Sequence, residues 1–246
     1  MSLPKTQTQQ PKKKPLLLAA APLNTLEGLL KDHGFDVTED VNTKERISGV
    51  VFGGGGDICP TLYGEYPHPT TNYRIERDIG EINVFRRIMR TNTIKGGKNI
   101  PLIGICRGAQ LLNCLNGGAL WQDVDGHRSS HEMHIVDQKE PIKVTSTHHQ
   151  MMRPSHLGSV IGFARMSETK ATGDPNVFTK YPDEKDRIDP EVVFYKHSNT
   201  LCYQPHPEYS RTDPTLKGNT AFFFTCLHKL FKLQGGHDTN GVEKTT

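Results

Sequence analysis

From residue 16 onward, short apolar runs alternate with segments of helical spacing. Leu16–Ala21 is an uninterrupted apolar run of the kind that forms a strand buried on both faces. Thr25–His33 carries Leu26, Leu29 and Leu30 at helical intervals, and Gly34 supplies a stop. Arg46–Phe52 predicts a second buried strand, ending at Gly53-Gly54-Gly55-Gly56. Ile75–Met89 predicts a helix with Ile75, Ile79, Ile82, Phe85 and Met89 on its inner face. Ile100–Ile105 is the next strand and Arg107–Leu115 the next helix. Strands alternating with helices predict an α/β fold, a parallel sheet covered on both faces. Beyond residue 120 the pattern is less regular. Pro141–Ser146 and Val192–Gln204 have strand character, with Asn199 as a turn, and Phe222–Leu233 predicts a closing helix. Ser167–Pro190 is charged and turn-rich, which predicts an exposed loop or lid.

The 246 residues suffice for one well-buried domain, read as 16–233, between a basic disordered tail at 1–15 and a polar one at 234–246. Four lysines in the first fourteen residues account for the net charge of +3, so the remainder is near neutral and presents no broad nucleic-acid surface. No apolar run reaches the length of a membrane helix. Lys12-Lys13-Lys14 before Leu16–Ala21 looks like a short secretory signal, but Pro22 would follow the cut and the run suits a first strand. Five scattered cysteines, an odd number with no metal-type pairing, fit reduced thiols in a cytoplasmic protein.

Gly104-Ile105-Cys106-Arg107-Gly108 stands between a predicted strand and a predicted helix, the cysteine form of a nucleophile elbow. A tight turn there lifts the central side chain above the sheet, and the helix N-terminus beneath it favours thiolate. Tight packing around an inert cysteine is the plain alternative, and Cys114 fits that description. Gln204-Pro205-His206-Pro207-Glu208 supplies the partners a thiol needs. On an extended backbone residues two apart share a face, so His206 as base and Glu208 as its orienting carboxylate point the same way, while Pro207 disfavours helix. The glycine run lacks the spacing of a nucleotide loop and fits an oxyanion hole better. The backbone amides of Gly54 or Gly55, with that of Arg107, are the candidate donors.

On these residues the chain resembles the γ-glutamyl-γ-aminobutyrate hydrolase branch of the class I glutamine-amidotransferase-like peptidases (the peptidase C26 type). The resemblance runs through GGGGDICPTLYGE at 53–65, IERDIGE at 75–81, PLIGICRGAQLLNCLNGGALWQD at 101–123, HHQ at 148–150 and QPHPE at 204–208. It implies a flavodoxin-like three-layer α/β/α fold with a central mostly parallel sheet. It also implies no metal and no organic cofactor, and a γ-glutamyl thioester on Cys106. It makes Gln110 substrate-facing and places His149 and Gln150 at the mouth of the site. The segment before the glycine run is shorter than usual for that branch, Gly53 stands where Thr or Pro is common, and Pro205 precedes His206 where an aromatic is more usual. These departures bear on the leaving amine rather than on the acyl chemistry.

Two other readings compete. His127, His131, His134, His148 and His149 with Asp123 and Asp125 suggest metal, and His131 and His134 fit one helix face, but no closed ligand set is visible in the sequence. The same thiol and imidazole also suit a glutaminase passing ammonia to a separate synthetase, or, with the chemistry lost, a binding module. The expected partner is a small γ-glutamyl molecule, without nucleic acid or membrane, and a homodimer is the assembly to test.

Overall fold

In a computed structural model of the chain, residues 13–93, 99–145, 147–165, 167–174, 178–180 and 188–236 are described. The first strand, β1 (Leu16–Ala19), shows how the core is divided. Successive strand side chains point to opposite faces. Accordingly, Leu17 and Ala19 join one buried cluster and Leu18 the other. The first cluster takes Leu26, Leu29 and Leu30 from α1 (Thr25–Asp32) and Phe223, Cys226 and Leu227 from α4 (Lys217–Phe231). The second takes Ile82 and Ile88 from α2 (Ile75–Thr93) and Ala109, Leu111 and Leu112 from α3 (Arg107–Leu115). Helices thus cover both faces of the sheet, giving the three α/β/α layers.

Strands β2 (Asp36–Thr38), β1, β3 (Ile47–Phe52), β4 (Leu102–Ile105) and β14 (Thr200–Tyr203) lie side by side and parallel. The sheet then continues antiparallel through β13 (Asp189–Tyr195), β10 (Gly158–Ala164), β7 (Ser130–Ile135) and β8 (Ile142–Thr145), nine strands in all. Two small sheets flank it. One pairs β5 (Ala119–Trp121) with β9 (Met151–Arg153), and the other joins β6 (Asp123–Val124), β11 (Thr169–Ala171) and β12 (Phe178–Lys180). None of the helices among the described residues is long and apolar enough to cross a membrane.

Three expectations are corrected, and one strand was not anticipated. Ile79 is exposed, and the inward face of α2 instead carries Asp78 and Glu81, which pair with the buried Arg107. His131 and His134 lie on a strand, β7, where the period of two turns His131 in and His134 out. Short edge strand β2 lacks a buried stripe, so no apolar pattern announced it. Finally, the described part of 167–190 is not an exposed lid: Ser167, Lys170, Thr172 and Asp189 are buried, with Lys170 Nζ 2.7 Å from Asp189. Residues 1–12 and 237–246, most of both expected tails, lie outside the described residues, as do 175–177 and 181–187 of the expected lid.

Candidate active site

Strand β4 ends at Ile105 and helix α3 begins at Arg107, leaving Cys106 alone to make the turn. Its φ of 52° and ψ of −112° are a conformation that a side chain with Cβ rarely adopts. The turn is fixed from both ends. Cys106 N–H donates to the Tyr203 carbonyl of β14 (3.0 Å), and its own carbonyl accepts the first helical bond from Gln110 (3.1 Å). The flanking glycines permit the close approach. A Cβ on Gly108 would lie 2.1 Å from the Phe52 carbonyl oxygen, and one on Gly104 would lie 2.5 Å from the Gly108 backbone. The expected elbow is therefore what strand and helix build. Burial pushes up the thiols of Cys114, Cys202 and Cys226, the last to about 12, in keeping with inert core cysteines.

His206 follows β14, the strand beside β4, so the sheet itself carries the imidazole to the elbow. Gly54 marks the junction: a Cβ there would lie 3.1 Å from His206 Cε1 and 3.7 Å from Cys106 Cβ. His206 Nδ1 donates to Glu208 Oε1 at 2.8 Å, and its ring stacks on Tyr209 with centroids 4.7 Å apart. The pairing does not arise from extended alternation. His206 is extended, but Pro207 opens a 3₁₀ turn, Pro207–Arg211, that brings Glu208 back under the ring. Proline is tolerated at a first helical position because its missing N–H has no partner there. Asn219 Nδ2 holds the His206 carbonyl at 3.0 Å. Burial opposes charge on His206, but the nearby Cys106 sulfur and the hydrogen-bonded Glu208 carboxylate outweigh it and raise the imidazole to about 11. Nε2 nonetheless closes no directional hydrogen bond with the sulfur. Contacts of this kind are often loose before substrate binds.

The glycine run is held by charge. Arg77 donates to the Gly54 carbonyl at 2.8 Å. Because a peptide unit is planar and trans, the Gly55 N–H faces away from that guanidinium. A Cβ on Gly55, whose φ is 154°, would lie 2.1 Å from Arg77. The Arg107 side chain turns away into the core and pairs with Asp78 and Glu81, while its backbone begins α3 beside the sulfur. Burial raises the Asp78 carboxyl against these bonds. Sequence reading missed this ion cluster, although the IERDIGE segment holds it.

Cys106, Gln110, Gly55 and His149 line one cavity of about 260 Å³. A neighbouring cavity of about 320 Å³ shares Gly56, Asp57 and Asn72 with it and reaches Arg74 and Arg77. His149 is held between Asp57 (3.2 Å) and Asp123 (3.1 Å), and hydrogen bonding to Asp57 raises its pKa. Gln110 Nε2 donates to the Gln150 carbonyl at 3.2 Å. Gln150 itself is buried and does not line the cavity; its side chain reaches Thr71 at 3.4 Å.

Of the other histidines, the fold gathers His127, His131 and His148 around Glu191 of β13. His134, Asp123 and Asp125 stand apart from this group. Burial works against charge on His127, but its bonds to Asp189 and Glu191 raise it to about 9, whereas burial lowers His148 to about 4.

The model of the Peptidase C26 family matches residues 35–167, more than half of the chain. A glutamine amidotransferase-like protein of Lactococcus lactis is 32% identical over 126 residues, 50% of this chain and 49% of that protein. Another, from Rickettsia prowazekii, is 40% identical over 78 residues, 31% of this chain and 25% of that protein. The chain thus spans about half or less of the length of these curated relatives. A glutamine amidotransferase of Thermotoga maritima has a similar fold at 15% identity, with a TM-score of 0.52 over 89% of this chain and 88% of that one. The matched family segment holds the glycine run, the elbow cysteine and the HHQ triplet, and the sheet adds the histidine beyond it. The chain belongs to the peptidase C26 family.

Proposed function

We propose that this chain hydrolyses a γ-glutamyl amide bond through a thioester on Cys106. The observation that carries the reading is the meeting of a strained elbow cysteine with a carboxylate-held imidazole beside a cavity the cysteine lines. In the proposed reaction the thiol proton already rests on His206, and the Cys106 thiolate attacks the γ-carbonyl carbon. Negative charge moves to the carbonyl oxygen, facing the amides of Gly54 or Gly55 and Arg107. Collapse breaks the C–N bond, and His206 returns the proton to the departing amine. Water, deprotonated by His206, then cleaves the thioester to release the acid and regenerate the thiol. Gln110 and His149 contact the substrate from the cavity wall, and Gln150 acts behind Gln110 through its carbonyl.

The charges around the joined cavities favour a glutamyl head group. Asp57 offers a carboxylate for an α-ammonium group, and Arg74 and Arg77 offer guanidinium groups for an α-carboxylate. The test is release of chromophore from a γ-glutamyl anilide by wild type and Cys106→Ala. Loss of turnover in the variant supports the reading, and equal turnover removes the assigned nucleophile. The names of the relatives favour a second reading, release of ammonia from glutamine for use by a separate synthetase. A panel of γ-glutamyl amines, folate polyglutamate and free glutamine distinguishes the two by which amine leaves fastest.

A further inference from the structure

The histidines gathered at Glu191 are arranged in a way the proposed hydrolysis does not use. His127 and Glu191 are fully buried and His148 is 6% exposed. His148 Nε2 and Glu191 Oε2 are buried without a hydrogen-bond partner, and His127 Nδ1 meets only Glu191 Oε1 at 3.2 Å. Ligand-capable atoms of these three residues lie within 4.8 Å of one another. Two polar atoms in that state are costly, since each forfeits its water without replacement.

The opposite ring nitrogens show why these atoms converge. His148 Nδ1 is 2.8 Å from the Gln150 carbonyl, which only accepts, so Nδ1 carries the hydrogen. His127 Nε2 is 3.0 Å from an Asp189 carboxylate oxygen, which fixes a hydrogen there too. Each imidazole is thereby oriented by a carbonyl or carboxylate, which leaves His127 Nδ1 3.2 Å from Glu191 and His148 Nε2 buried and unpartnered. Metal-binding histidines are held this way by their outer partners. Asp189 is itself anchored by Lys170 at 2.7 Å. His131 Nε2 stands 3.2 Å from the same Glu191 oxygen that His127 approaches, and its Nδ1 is 3.3 Å from the Ser129 carbonyl.

We propose that His127, His148 and Glu191 bind a divalent transition-metal ion, zinc fitting this donor set best, with His131 placed to close the coordination. Two or three imidazoles with one carboxylate suit zinc, and the absence of water-facing ligand atoms suits a structural ion. Such an ion ties the loop before β7, the HHQ segment and β13 together behind the wall that His148 shares with Cys106. The inference is independent of the hydrolytic reading.

The test begins with full-length protein loaded with ZnCl₂, dialysed against metal-free buffer and assayed for zinc by mass spectrometry. One tightly held equivalent is expected, lost in His148→Ala and in the isosteric Glu191→Gln. Asp189→Asn, which spares the ligands, should weaken binding about 10–100-fold in competition with a chromophoric chelator. Substoichiometric zinc in folded wild type, or equal zinc in wild type and folded variants, overturns the site. Should the variants fail to fold, the visible spectrum of Co²⁺-loaded wild type decides. An intense tetrahedral band supports the site, and the weak spectrum of hydrated cobalt overturns it. Turnover of a γ-glutamyl substrate is measured in parallel, so that a failure of hydrolysis is read separately.

Discussion

Cys106→Ala and Cys106→Gly both remove the sulfur, but only glycine relaxes the backbone. At φ 52° and ψ −112° an alanine retains the strain of the elbow, about 1–3 kcal/mol for such a conformation. Glycine relieves it and incurs two ordinary costs. The unfolded chain gains freedom, about 0.4–1 kcal/mol, and a buried carbon is lost, about 0.8 kcal/mol. The same two costs without any strain apply to Ala109→Gly, at a fully buried position in helical α3 three residues away. Subtracting one exchange from the other leaves the strain. The alanine-to-glycine change should therefore be about 1–3 kcal/mol less destabilising at 106 than at 109, and at 106 it can be stabilising. Urea denaturation at neutral pH, with slopes compared to verify a common unfolded state, gives the four free energies; thermal midpoints serve as a check at roughly 2–4 °C per kcal/mol for this chain length. Equal costs at the two positions would refute the idea that the elbow holds its nucleophile against a backbone preference. Neither Cys106 variant should turn over a γ-glutamyl substrate.

Glu208→Gln should lower kcat/KM by about 10²–10⁴-fold and move the alkaline limb of the pH profile to lower pH, because Glu208 helps raise His206 to about 11. The sign follows from linkage: with its folded pKa above the unfolded value, protonated His206 stabilises the fold fully below about pH 6.5 and loses that contribution as pH rises toward about 11. An unchanged alkaline limb in the variant would separate His206 from Glu208 functionally. Gly108→Ala forces a Cβ to within 2.1 Å of a backbone oxygen, and should cost at least about 1–3 kcal/mol in urea unfolding. Arg107→Met removes the buried partner of Asp78 and leaves Glu81 only Arg77 at 3.3 Å, and should cost about 3–5 kcal/mol, most of it regained on adding Asp78→Asn and Glu81→Gln. Failure of that rescue would mean that packing, rather than charge, sets the cost.

Local chemistry was legible wherever a short segment decides its own geometry. The apolar runs at 16–21, 46–52 and 100–105 marked buried parallel strands, which form at 16–19, 47–52 and 102–105, and Gly104 and Gly108 marked a turn that only small flanking residues permit. The match of Arg107–Leu115 to its predicted helix follows from the same economy, since strand, turn and helix are adjacent in the chain. Other features depended on partners remote in sequence. The apolar spacing of α2 put Ile79 on the inner face, whereas Asp78 and Glu81 take that side to pair with Arg107 and Ile79 is exposed. Lys170 and Asp189 looked like parts of an exposed tract because a buried charge is recognised only with its counter-charge. The histidines at 127, 131 and 148 were visible one by one, but their convergence needed β7 and β13 to enter one sheet and bring Glu191 between them. Spacing along a chain can fix which face of a single element a side chain takes. Only the order of strands decides which faces meet, because that order is set by burial summed over the whole sheet.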